Sequence, residues 1–312
     1  MAVNKALKSE FSSPQSVRRR IRDAKEFLIR SILFLCATSS VLITFGVVWT
    51  LLKEAWPFFQ EVSLKNFFFD KEWTPLFENP QYGILNLISG TFLTTLIALS
   101  VAIPLGTITA VFLSEYASSR VREFLKPVLE LLAAVPTVVY GYFALLFVTP
   151  LLQVIFPSLS SFNALSAGLV MGVMIIPYVS SLSEDAMRAV PVYLREGSLA
   201  LGASNLQTSF KVIVPSAFSG IASAYVLGIS RALGETMVVA IAAGLQPKIS
   251  LNPFESTQTL TAYIVQVSQG DLPHGSIGYK TIYVAGVVLL CFTLIFNMIG
   301  QKVRSHMEKK YK

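Results

Sequence analysis

Charge is what this chain has least of. Only 14% of its 312 residues are Asp, Glu, Lys or Arg, against about 25% in ordinary soluble domains. Cysteine is scarce as well. Cys36 and Cys291 lie in different apolar runs, so there is no disulfide framework and no metal-ligand spacing. The two histidines, His274 and His306, fall outside the apolar runs and far apart, which leaves a metal centre or a histidine-dependent hydrolase little to build on. No G-x-x-x-x-G-K-[ST] stretch occurs, so the chain has no phosphate-cradling loop for ATP. No repeat at solenoid period is visible. A membrane-embedded enzyme would need an intramembrane set such as Ser with His, or paired aspartates. No His or Asp lies in any of the apolar runs.

Apolar residues are present in excess: 53% of the chain, with a mean hydropathy of +0.61. Together these features predict an all-α polytopic membrane protein. The net charge of +7 does not point to nucleic acid, because the basic residues gather at the chain ends, in RRRIRDAK at 18–25 and KVRSHMEKKYK at 302–312. Neither stretch interleaves aromatics as a single-strand binding surface does. Basic ends beside apolar runs read as flanks facing anionic lipid.

A helix needs about 20 apolar residues to cross the hydrocarbon core. Six candidate transmembrane helices follow, at 28–52, 85–113, 128–149, 164–182, 217–243 and 281–300. Pro104, Pro136 and Pro177 fall inside three of them, where neighbouring helices can satisfy the freed carbonyls. With residues 1–27 placed inside, and Arg30 snorkelling, the inside segments hold nineteen Lys and Arg and the outside segments five. That bias places both termini in the cytoplasm. The first span follows a basic lead of nearly thirty residues and reads as a retained anchor. The expected organisation is a basic cytoplasmic segment 1–27, a first helix and extracytoplasmic loop over 28–84, a five-helix domain over 85–300, and a basic tail at 301–312. In the outside segment 53–84, WPFFQ, NFFFD and EWTP suit an interfacial aromatic belt. The loop 244–280, rich in proline and glycine, is the longer extracytoplasmic candidate for meeting a partner.

The inside segment 183–216 is more than a connector. Pro191 can start a helix and Gly202 can end one, and a second short helix could follow before Pro215. Its charges balance, so it is not a simple lipid-binding basic loop. The bland alternative is an interfacial hairpin. Glu196, then Gly202 six residues on, then Val212-Ile213-Val214-Pro215, resembles the EAA loop of ABC importer permeases: Glu-Ala-Ala, three residues, Gly, nine residues, Ile-x-Leu-Pro. Gly197-Ser198 stand for Ala-Ala, and valines for Ile and Leu. In that family the loop is the coupling helix that seats in a cytoplasmic ATPase. The resemblance therefore assigns Glu196, Gly202 and Pro215 to ATPase coupling, and it implies a type I, MetI-like architecture.

One stretch breaks the apolar pattern. SRALGETMVVAIAAG, 230–244, carries Arg231 and Glu235 near the middle of the predicted fifth span, spaced to share one helical face. A mid-membrane arginine costs at least about 2.5–3.5 kcal/mol on insertion scales, so such residues usually face a cavity or pair. The alternative is a structural ion pair. RALGETM and the ELLAAVPTVVYGYFAL stretch at 130–145 are similar to segments of bacterial phosphate-uptake permeases, the C-type (PstC-like) rather than the A-type, which usually reads GETAP. The similarity runs through the five spans from about 85 to 300, and the N-terminal span fits as well. It implies that the chain forms a pathway for inorganic phosphate without enzymatic activity, cofactor or metal of its own. It implies partners too: a homologous PstA-like permease, two PstB-like ATPase subunits and an extracytoplasmic PstS-like binding protein. Arg231 and Glu235 become the substrate-pathway residues, with Glu235 as the resident counter-ion of Arg231. A permease for another oxyanion, such as phosphonate or phosphite, would also want the arginine.

Overall fold

The computed structural model describes residues 14–77, 79–270, 272–273 and 275–311. The first thirteen residues, with Lys5 and Lys8, and His274 and Lys312 lie outside them. The chain divides at Lys53/Glu54 into two compact units. Helix α1, Pro14–Glu61, makes up the described part of the first unit as far as Lys53, and its last turns belong to the second. Phe27, Leu35, Phe45 and Trp49 on it are all more than half exposed. An apolar run of this length with outward-facing aromatic and aliphatic side chains suits contact with lipid.

The second unit is helical throughout. Helix α2 (Leu64–Phe69), capped by the Ser63 hydroxyl, leads to α3 (Leu85–Val111), which closes in a π-helical turn at Phe112–Tyr116. Next come α4 (Ser119–Ala134), then α5 (Thr137–Phe143) and α6 (Thr149–Ile155), joined through a π turn. Helix α7 (Ala164–Arg188) starts at Asn163, whose Oδ1 accepts from the Ser166 N–H at 2.7 Å. A hairpin follows: α8 (Val192–Ala200), α9 (Asn205–Thr208), a π turn at Ser209–Ile213 and α10 (Val214–Ser216). The chain closes with α11 (Phe218–Leu233), α12 (Met237–Ala242), α13 (Leu260–Ser268) and α14 (Ile277–Tyr311). Among the described residues there is no strand, only an isolated Trp73–Tyr82 bridge.

The centre of this unit is the α3–α7 pair. Gly168 and Gly172, one helical turn apart on α7, let the backbones close: a Cβ at Gly172 would lie 2.8 Å from the Ala98 carbonyl oxygen, and one at Gly168 2.7 Å from Ile97 Cβ. Small residues four apart are how membrane helices gain packing where lipid offers no hydrophobic drive. Pro104 and Pro177 sit inside α3 and α7 without ending them, as expected of span prolines.

Among the described residues, five helices are long and apolar enough to cross a membrane unaided, and six if the bent pair Asn205–Ser216 and Phe218–Leu233, which turns by 73°, counts as one span. Five expectations need correction. The third span runs over Thr137–Ile155, not 128–149. Pro136 is its N-cap rather than an interior residue: Val135 and Pro136 are extended, with ψ 130 and 135, as the residue before a proline is driven to be. The apolar count had run across this corner because α4, just before it, carries an apolar stripe of its own.

The predicted fifth span, 217–243, breaks after Leu233. The aromatics of 53–84 divide: Trp56, Phe69 and Phe77 are exposed, but Phe58, Phe67 and Trp73 are 0%, 2% and 1% exposed in a core with Ile84, Leu87 and Tyr263. Those three are not an interfacial belt. The loop 244–280 is not all loop either, because α13 inside it is buried through Leu260, Ala262 and Tyr263. Thr91 Oγ1 accepts from the Leu260 N–H at 3.0 Å and ties α13 to α3.

Candidate solute pathway and coupling loop

Arg231 and Glu235 do not share a helical face. Helix α11 stops at Leu233, Gly234 caps it, and no salt bridge joins the two residues among those described. The break has a local cause. Gly234 is a poor helix former, and Thr236, at φ −118, leaves the helical line before α12 begins. Glu235 then spends its carboxylate on the new helix. Oε1 accepts from the N–H groups of Met237 and Val238 at 3.1 and 3.3 Å, satisfying donors that a helix start leaves orphaned. Its own carbonyl accepts from Thr261 Oγ1 at 2.6 Å. Glu235 is thus a buried staple between α12 and α13, 6% exposed.

Arg231 is half-buried. Its guanidinium carbon stands 4.6 Å from the ring centroid of Tyr178 on α7, and Nε is buried without a hydrogen-bond partner. The contact is a cation–π pair, worth about 0.5–2 kcal/mol depending on desolvation. It steadies the cation while leaving the donors of the guanidinium fork unspent. Tyr178 in turn donates from its hydroxyl to the Ala133 carbonyl at 3.4 Å, which relates this point to the end of α4. A cavity of about 290 Å³ runs from Tyr178 past Ser181 to Lys126 and Glu184.

In sequence, Glu184 is one of the balanced charges of the segment 183–216. It sits in the last turns of α7 with its side chain 0% exposed, ringed by Lys126 at 2.9 Å, Arg188 at 3.5 Å and Arg122 at 3.6 Å. Neither carboxylate oxygen finds a well-aligned hydrogen bond, so the contacts are ionic. The Asp185 carboxylate bonded to Lys126, helped by Glu184, holds that ammonium above its ordinary pKa against the opposing effect of burial. Glu184 and Arg188, four apart, were legible as a helical pair; the cations from α4 were not. Tyr178, too, carried no signal in sequence beyond being an aromatic in a span.

The hairpin at 191–216 has the predicted boundaries. Pro191 is the N-cap of α8, and Gly202 takes φ +86 just past its end. The N–H of Gly202 bonds Leu199 O at 2.9 Å and that of Ala203 bonds Ser198 O at 3.2 Å, the paired closure that needs a left-handed residue, here glycine. Ser204 and Gln207 cap α9 reciprocally, each side chain meeting the other's backbone N–H. Pro215 stands in the first turn of α10, where its missing N–H costs nothing. Glu196 is exposed on α8. Val192, Tyr193, Leu199, Leu201 and Leu206 also point outward, with Leu201 90% exposed. Such a run of apolar side chains on a short polar hairpin marks an interaction surface.

A helical unit rich in apolar spans, with one span interrupted and a two-helix loop carrying exposed apolar side chains, defines the class: a polytopic membrane transport component. Residues 102–311 match the family model described as binding-protein-dependent transport system inner membrane component. The chain is 37% identical over 76% of its length, and 77% of the relative's, to the probable ABC transporter permease protein YqgH of Bacillus subtilis. It is 30% identical over 94% of both chains to the phosphate transport system permease protein PstC of Xylella fastidiosa. Among solved structures, a bacterial ABC transporter involved in the import of the acidic polysaccharide alginate aligns with a TM-score of 0.61 at 17% identity, covering 91% of this chain and 99% of that one. The inward-facing MetNI methionine ABC transporter aligns with a TM-score of 0.53, covering 72% and 94%. At that identity the structures speak for the fold alone. The chain belongs to the inner membrane component family of binding-protein-dependent ABC transporters.

Proposed function

We propose that this permease forms the pathway for inorganic phosphate into the cell, with both termini and the α8–α9 hairpin on the cytoplasmic side. The observation that carries the reading is Arg231: a cation in the middle of the apolar chain, steadied by the Tyr178 face and left without a carboxylate partner. A guanidinium fork can donate two parallel hydrogen bonds to a phosphate. The relatives named as phosphate transport permeases support the same anion, and the bias of nineteen Lys and Arg against five supports the orientation. Glu235 acts here by holding α12 beside the break rather than as a direct counter-ion. Conduction requires that the anion be held weakly, and an arginine whose one close contact is an aromatic face presents a single, exchangeable site.

In this reading Glu196, Gly202 and Pro215 shape the loop that docks on a cytoplasmic ATPase, and the exposed Val192, Tyr193 and Leu201 supply its apolar contacts. A homologous second permease, two ATPase subunits and an extracytoplasmic binding protein complete the machine. The test is uptake of labelled phosphate by the reconstituted complex. Arg231→Gln should abolish uptake while the complex still assembles, and Arg231→Lys should be impaired because it keeps the charge but loses the fork. Uptake competed better by phosphonate or phosphite than by phosphate would reassign the anion. Normal uptake by Arg231→Gln would remove the arginine from the pathway.

A further inference from the structure

The coupling hairpin is held to the membrane unit in an unusual way. Helix α8 buries no residue fully. Beneath it runs a groove of about 510 Å³, walled by Pro191, Tyr193 and Leu194 on one side and by Ala186, Ala217 and Gly220 on the other. Among the described residues, only Leu194 packs from it against the Ala110–Ile213–Ile221 cluster, and Ser198 Oγ lies 2.9 Å from Thr208 Oγ1 within the hairpin. The directional tie to α3 and α7 is one side chain. Arg195 reaches from α8 to Glu115, in the π turn that closes α3, and meets it fork to fork: Nε donates to Oε2 at 3.1 Å and Nη2 to Oε1 at 3.0 Å. The same guanidinium donates to the Met187 and Val190 carbonyls at the end of α7, at 2.8 and 3.2 Å. Ser114 steadies the far end by donating to Glu115 Oε1 at 2.7 Å. The pair is shielded, with side chains 21% and 9% exposed. A two-bond guanidinium–carboxylate contact constrains direction as well as distance.

We infer that Arg195 and Glu115 form a strut that makes the coupling helix move as one body with the ends of α3 and α7, so that motion of the ATPase reaches the spans. This rests on the reading of α8 as the coupling helix. Both residues are positioning residues: neither is placed to touch the solute or ATP. A displaced α8 that could swing into the groove under it would absorb the ATPase stroke. With the strut in place, the stroke is passed to α3 and α7, which close on each other at Gly168 and Gly172, and α7 carries Tyr178.

The experiment uses the complete transporter in proteoliposomes and reads phosphate moved per ATP hydrolysed. Arg195→Gln and Glu115→Gln should each leave ATPase copurification intact and lower that ratio by about fivefold or more, the smallest shift expected of a coupling interaction of ordinary size. The double variant should be no worse than either single one, since both remove the same strut. Arg195→Lys, which keeps the cation, should fall between, and it serves as the measured variant if the glutamine forms assemble poorly. Unchanged ratios, or losses that multiply in the double variant, would overturn the strut, as would failure of all three to assemble. Gly202→Val separates this from the underlying assignment. If that variant uncouples while the Arg195 and Glu115 variants do not, the strut alone is wrong; if Gly202→Val is also fully coupled, the hairpin is not the coupling loop.

Discussion

Removing the charges of Arg231 and Glu235 separately and together distinguishes an ion pair from two independent roles. If the residues were paired at mid-span, as their spacing suggests, removing one partner would strand a buried charge at a cost of about 3–5 kcal/mol, and removing both would recover much of it. The structure predicts otherwise. Glu235→Ala removes an oxygen that accepts from Met237 and Val238, a loss of helix capping worth about 1 kcal/mol and up to about 2. Glu235→Gln keeps an acceptor oxygen there and should cost less. Arg231→Gln removes the contact with Tyr178, about 0.5–2 kcal/mol. Because the two side chains share no partner, their effects should add to within about 0.5 kcal/mol. Reversible unfolding of the purified chain in mixed micelles would measure the cycle, with uptake measured in parallel on the same four proteins. The Arg231→Gln/Glu235→Gln protein should stay inactive in uptake. A coupling energy above about 2 kcal/mol, or recovery of transport in the double variant, would refute the separate roles.

The glycine seam and the extracytoplasmic loop give two further expectations. Gly172→Ala should lower the unfolding free energy by about 1–3 kcal/mol, because its Cβ would meet Ala98 O and Val101 Cβ at 2.8 Å, whereas Gly197→Ala, with nothing within 4 Å, should be neutral or stabilising in the same melt. Equal effects would mean the α3–α7 approach is looser than described. The Glu255 carboxyl is held below its ordinary value of 4.5, first by the hydrogen bond from Lys248 and then by Asn252. A depressed carboxyl stabilises the folded loop above its unfolded pKa, and that contribution disappears as pH falls through the folded value. Hydrogen exchange across 246–256 should therefore accelerate, beyond its intrinsic rate, as the pH is lowered below 4.5, and Glu255→Gln should remove the pH dependence. The same profile in both proteins would contradict the assignment.

Medium, the unbroken spans and the hairpin's turn chemistry were legible in the chain itself, because each is set locally. Long apolar runs can be satisfied only by helices in lipid, which located α1, α3, α7 and α14. Pro191 and Gly202 act through the backbone torsions they permit, so the limits of α8 could be read from residue types alone. The resemblance of the loop to the EAA pattern likewise rests on residue types and spacing along the chain. What sequence could not resolve depended on neighbours distant in the chain. Whether Val135-Pro136 is a kink or a corner is decided by α4, which lies on the end of α7 through Lys126 and Glu184 instead of continuing into the span. Phe58, Phe67 and Trp73 have the composition of a lipid belt, and only their packing against Tyr263 and Leu87 makes them a core. Arg231 and Glu235 have the spacing of a helical pair. The tertiary structure separates them, because Thr261 holds the Glu235 backbone from α13 and Tyr178 offers Arg231 a face from α7. Helical periodicity carries no record of contacts made across tens of residues, and it is those contacts that place one charge on a helix start and set the other against an aromatic face.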